Sequence, residues 1–334
     1  MAATNKNVFW QAIRGICMLA VVLVHCENGV GLPLTSFEGA WYFLMRNLIN
    51  FPVAIFFFVS GYFVRIPEKS CGGGYVKRRL PRLLIPYVVY TVGYLLFSFL
   101  TGGELSVGRL LKAFLLGKAA TPFYYIVVLT LFTLVTPLLM RCVRHRGKSI
   151  FILSLTPVFL LLYNVAPALG FDLDGIIRYT PVWIAFYYGG MLVNEYRPTV
   201  RCSDKLIVGG VIAAFMLQLL ESVFFSTFGQ ILLGVFLYAA ALILLIYRHS
   251  DTDWSNNRLM NWLGFIGDRS YGIFYLHCAV LTVVNIVLSR IGVDLFLPVL
   301  QLVQWTVAVA GSIGIIYLIR LVLPKKTASF VFGV

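Results

Sequence analysis

Charge is the scarcest thing in this 334-residue sequence: Asp, Glu, Lys and Arg make up 12% of it, against 60% hydrophobic residues. Acids are scarcer than bases, 13 against 27, and there are four histidines and six cysteines. A soluble chain of this length could bury a sizeable core, but its surface would need far more charge. The cysteines include no CxxC pair, so neither a disulfide framework nor a metal site is indicated. Cys17 and Cys26 read as small buried filler more readily than as nucleophiles. No low-complexity tail and no internal repeat interrupts the chain, and no soluble domain stands out.

What the chain does have is a succession of apolar stretches long enough to cross a hydrocarbon core of about 30 Å. Ten spans are expected, at about 8–26, 41–64, 83–100, 123–140, 150–164, 177–194, 206–224, 229–247, 268–289 and 296–323. The expected fold is an all-α membrane bundle of about ten transmembrane helices, one domain over 1–334. The first run is not followed by a small-x-small cleavage site before His25, Cys26 and Glu27, so it is expected to remain as a span. Residues 110–116 are too short to cross and read as interfacial. Pro52 can break the second span, and Pro157 falls inside the short fifth one.

The excess of bases invites a nucleic-acid partner, and topology removes it. With the N-terminus inside, assigning Lys and Arg to alternate sides puts 20 on the inner side and 6 on the outer, with Arg14 left within the membrane. That split is the positive-inside pattern. It supports an even number of spans and both termini in the cytoplasm. Cys71, Cys142 and Cys202 then fall in cytoplasmic loops. Cys17, Cys26 and Cys278 fall within spans or at their ends.

Arg14 and His25 carry the sharpest chemical signal, because charge inside a span usually marks function. Eleven positions at about 100° each come to roughly 20° past three turns, so the two share one helix face about 16 Å apart. Arg14 could be a clamp on backbone carbonyls or pair with an acid. Its planar fork could equally bind a phosphate or a polarised carbonyl. His25 could simply hydrogen-bond a neighbouring helix, but a neutral imidazole is also the usual general base near neutral pH.

Three further segments add candidates. FPVAIFFFVSGYF (51–63) leads into YVKRRLPRLLIPY (75–87), where Lys77 and Arg78 stand beside an Arg79-x-x-Arg82 pair. The bland reading is a positive-inside anchor. The functional one is an entrance for a polyphosphate, since residues three apart are neighbours on a helix. Gly72-Gly73-Gly74 lacks the ending of a phosphate loop and reads as a hinge. PFYYIVVLTLFTLVTPLL (122–139) opens with Tyr124-Tyr125 at an expected outer interface. GDRSYGIFYLHCAV (267–280) brings Ser270, Tyr271, Tyr275 and His277, the last also readable as a structural hydrogen-bond partner.

Taken in order, these segments resemble the acyltransferase-3 family of multipass membrane O-acyltransferases. The resemblance rests on Arg14-x10-His25, FFFVSGYF, KRRLPRLLIPY, FYYIVVLTLFTLVTPLL and SYGIFYLH, and it runs across nearly the whole chain. One departure is Tyr124-Tyr125, where the family usually has a Trp-Tyr or similar pair.

The resemblance implies transfer of an acyl group, often acetyl, from cytoplasmic acyl-CoA to a hydroxyl of a surface glycan or its lipid-linked precursor in a bacterial plasma membrane. It implies His25 as the catalytic histidine with Arg14 as its motif partner. Arg79 and Arg82, with Arg78 beside them, are implied at the donor. Ser60, Tyr124, Tyr125, Tyr271 and His277 are expected to touch substrate, and Ser60, Tyr125 or a backbone amide at a broken helix could stabilise an oxyanion. Acyl-CoA passes through as donor, and no resident cofactor and no metal are expected. The rival reading is a transporter or exporter of a glycan or lipid-linked intermediate, which should show interrupted spans related by internal symmetry.

Overall fold

The computed structural model describes residues 8–26, 28–66, 73–173, 175–225, 228–292 and 295–334, so Lys6, Glu27, Lys69, Cys71 and Gly72 lie outside the described residues. Regular structure among the described residues is entirely helical. The elements are α1 (Val8–Val24), α2 (Phe37–Leu48), α3 (Pro52–Tyr62), α4 (Gly73–Leu100), α5 (Val107–Leu116), α6 (Tyr124–Cys142) and α7 (Arg146–Val165). They continue with α8 (Ile184–Tyr196), α9 (Asp204–Phe224), α10 (Leu233–Arg248), α11 (Arg258–Ile291), α12 (Leu297–Val322) and α13 (Lys325–Val331).

Seven stretches among the described residues are long and apolar enough to cross a membrane: Phe37–Tyr62, Gly74–Leu100, Thr121–Cys142, Arg146–Leu169, Asp204–Phe224, Arg258–Ile291 and Leu297–Val322. α1 and α10 are apolar but shorter. The expected sixth span is cut down: residues 177–183 form 3-10 turns, and only the 13-residue α8 is regular helix. Pro181 at the start of the second turn explains the interruption, since it has no amide to donate and fixes its own φ. The second span breaks where expected, with Ile49–Phe51 separating α2 from α3 and Pro52 opening α3. Pro157 is carried inside α7. Gly73 and Gly74 start α4 instead of forming a hinge. α5 has 10 residues, too few to cross.

Apolar side chains face outward in quantity, as lipid contact requires: Leu96, Phe99 and Leu100 on α4, Leu161 and Leu162 on α7, Leu206 and Leu220 on α9, Leu318 and Leu321 on α12. α1 and α3 lie inside this ring, and two close helix approaches fix them. A Cβ on Gly15 would run into the Leu263 carbonyl of α11, and one on Gly267 into the Gln11 carbonyl of α1. In the same way Gly61 meets Tyr187 and Gly190 meets Phe58, seating α3 against α8. With no water to expel from between apolar helices, backbone proximity at small residues is what holds them together.

Buried polar groups add direction. Gln218 of α9 donates to the Asn47 carbonyl (2.7 Å), and Ser222 to the Asn47 side-chain oxygen (2.7 Å). On α12, Gln301 donates to the Cys26 carbonyl and Trp305 to the Leu19 carbonyl, both at 2.9 Å. These last two bonds tie down the exit of α1, where His25 sits.

Candidate active site

Arg14 lies in the first half of α1, and His25 is the first residue past its last turn, its amide still bonded to the Val22 carbonyl at 3.1 Å. Both side chains line a single cavity of about 600 Å³. Among the described residues, neither the Arg14 guanidinium nor the His25 imidazole has a hydrogen-bond or ion-pair partner. A clamp role for Arg14 therefore has no partner to rest on. Both side chains are part-buried and open to the cavity, so their polar atoms are available to whatever occupies it.

Around Arg14 the cavity wall is polar. Arg79 of α4, Ser60 of α3, Tyr125 of α6, and Ser270 and Tyr271 of α11 all contribute. The Ser60 and Tyr125 hydroxyls stand 3.4 Å apart, a long hydrogen bond. Tyr271 donates to the carbonyls of Arg82 (3.3 Å) and Leu83 (3.4 Å), which holds the start of α4 against α11. Between the polar regions the wall is apolar, with Met18, Val21, Phe56 and Phe274 among its residues.

The basic cluster divides. Arg79 and Leu83 line the cavity, whereas Arg78 and Arg82 are exposed and outside it. Residues 79 and 83 lie about 40° apart around a helix, while 82 is turned about 100° from 83. The seam follows the i, i+4 pair and leaves Arg82 on the outer side.

His277, expected to touch substrate, is fully buried and is not on the cavity wall. Its ring packs against that of His25, with centroids 5.2 Å apart. Nδ1 lies 2.8 Å from the Ile273 carbonyl, which can only accept, so that nitrogen carries the proton and Nε2 keeps its lone pair. The Cys278 sulfur is 3.3 Å from that Nε2. Burial thus turns the expected substrate contact into a contact with His25. His25, His277 and Cys278 also bring three potential metal donors within 4.8 Å of one another. Nothing in the sequence spacing pointed to this cluster, because a turn past α1 and the middle of α11 meet only in the fold.

At its other end the cavity takes in groups that sequence reasoning passed over. Arg46 of α2, Arg178 from the 3-10 turn Ile177–Tyr179, and Gln230 line it together with Tyr124. The Tyr124 hydroxyl donates to Gln230 Oε1 at 2.8 Å, and the Arg178 guanidinium sits 5.2 Å from the centre of the Tyr124 ring. Adjacent tyrosines at the first turn of α6 therefore serve two regions, Tyr125 toward Ser60 and Tyr124 toward Gln230. The available signal was that Arg46 and Arg178 belong to the small group of bases on the base-poor side.

The family profile described as an acyltransferase domain matches residues 7–321, nearly the whole chain. The chain belongs to the acyltransferase-3 family. No curated protein and no solved structure gives a significant match. Family membership together with several apolar, bilayer-length helices makes this a multipass membrane acyltransferase, working with an acyl donor and an acceptor within a lipid bilayer. In this acyltransferase-3 chain the Arg14-x10-His25 pair and Arg79 open onto the same space, and that convergence is the geometry any mechanism has to use.

Proposed function

We propose that the protein moves an acyl group, acetyl in the simplest case, from cytoplasmic acyl-CoA to a hydroxyl of a cell-surface glycan or its lipid-linked precursor. In this reading the protein sits in a bacterial plasma membrane with both termini in the cytoplasm. The observation that carries it is the pairing of Arg14 and His25, two partnerless polar side chains facing one cavity with Arg79 on its wall.

Arg79 would attract the phosphates of CoA, with Arg78 and Arg82 adding to the field at the approach. The pantetheine arm would then run past Arg14 to bring the thioester carbonyl near His25. His25 accepts the proton of the acceptor hydroxyl as its oxygen attacks that carbonyl. The new C–O bond forms, the C–S bond breaks, and coenzyme A leaves as a thiol carrying the proton returned by the imidazolium. An alternative order gives the acyl group first to the imidazole and then to the hydroxyl, with the same net balance. Ser60 and Tyr125, on the wall around Arg14, would line the path of the pantetheine arm.

Incubating purified protein with radiolabelled acetyl-CoA and extracted cell-envelope glycans should give labelled, alkali-labile glycan. Substrate flux across vesicles with no CoA-dependent product would replace this reading with the exporter.

A further inference from the structure

The cavity also takes in a second cationic region with no assigned task. Four arginines line the cavity, Arg14, Arg46, Arg79 and Arg178, and no Asp or Glu is among its described lining residues. Arg178 is the most telling of them. Its Nε is buried and has no hydrogen-bond partner, while its guanidinium lies against the face of Tyr124. Gln230 has its oxygen occupied by the Tyr124 hydroxyl, which leaves its amide hydrogens to point elsewhere. Arg46 is buried and held by Asn50, its Nη1 donating to Oδ1 at 2.6 Å. The groups gathered at this end are thus overwhelmingly donors. With Arg178 and Gln230 part-buried on the cavity wall and Arg46 adding its charge behind them, this end suits a ligand that only accepts.

The donor's phosphates cannot account for it under the proposed arrangement. They are assigned to Arg79 on α4, beside Arg14 and Tyr125, whereas Arg178 and Arg46 gather at Tyr124. We infer that the acceptor is anionic, carrying a phosphoryl or carboxylate group that Arg178, Gln230 and Arg46 bind while His25 faces its hydroxyl. The role of acceptor rests on the acyltransferase reading; the anion site does not. Such a group could come from an acidic sugar or from the phosphate of a lipid-linked sugar, which present the same chemistry to a guanidinium.

The test is binding of two matched pairs to the full-length protein in detergent, at low and high salt. Methyl glucuronide is compared with methyl glucoside, and farnesyl-phosphoryl-glucose with farnesyl glucoside. The inference expects at least one anionic probe to bind roughly 10-fold more tightly than its neutral partner, in a salt-sensitive way. Arg178→Gln should remove most of that difference and Arg178→Lys part of it, with acetyl-CoA binding unchanged. The pair that responds identifies the source of the anion. Equal binding of charged and neutral probes by the wild-type protein overturns the inference without recourse to any variant. So does a parallel loss of acetyl-CoA binding in Arg178→Gln, which would move Arg178 to the donor. Anionic binding with no acyl transfer to any probe or extracted glycan upholds the site and removes the acyltransferase reading instead.

Discussion

At the residue scale, function concentrates on side chains that the fold leaves without partners. His25 has ring contact with His277 but no hydrogen bond among the described residues, so its nitrogens remain available for a proton in transit. His25→Ala should lower acyl transfer by on the order of 10²–10⁴-fold, the usual worth of a positioned base, while acetyl-CoA binding and detergent stability stay near wild type. Stopped-flow turnover beside equilibrium binding measures this, and full activity in the variant would sink the mechanism. Arg14→Ala should lower turnover and donor affinity together. Arg14→Lys should recover only part of either, since an ammonium keeps the charge but loses the planar fork.

At the scale of elements, the start of α4 separates two roles that the sequence joined. Arg79 faces the cavity and Arg82 does not, so Arg79→Ala should weaken acyl-CoA binding more than Arg82→Ala. What remains in Arg79→Ala should also be less sensitive to salt. Titrations of the two single variants at two ionic strengths decide this, and unchanged affinity in both would return both residues to membrane anchoring.

The packing of α1 on α11 makes a second prediction at this scale. Gly267→Val would drive a side chain into the Gln11 carbonyl, so the helices must part. Overpacking of this kind costs about 1–3 kcal/mol, and it should appear as a lower melting temperature. Because α1 carries Arg14 and α11 carries Tyr271 and His277, activity should fall with stability. Gly74→Val, where a Cβ meets open space, serves as the control.

For the whole molecule, the proposed cytoplasmic donor depends on the orientation expected from the charge split. Cys142 ends α6 and Cys202 lies between α8 and α9, where the topology expects the cytoplasm. A membrane-impermeant maleimide should label Cys202, the exposed one of the two, only after the membrane is opened. Labelling of Cys202 in intact cells would reverse the orientation, and the Arg79 end would then face outward. Cys71 should behave as Cys202 does.

The sequence by itself determined the membrane class, the helical content, the break at Pro52 and the pairing of Arg14 with His25. Each of these depends on composition or on spacing within one helix, and a 3.6-residue period is legible without knowing what lies next to it. Bounds were less legible: α1, α8 and α10 are shorter than the spans expected at 8–26, 177–194 and 229–247, because apolarity does not say where a backbone stops being helical. Only the tertiary structure decided which side of α4 faces inward, and so that Arg79 rather than Arg82 enters the cavity. It alone brought His277 and Cys278 to His25, and Arg46, Arg178 and Gln230 to the far end of the same space. Those meetings are set by which glycines let which helices close and by which buried amides tie them. Such choices between distant segments leave no period in the chain.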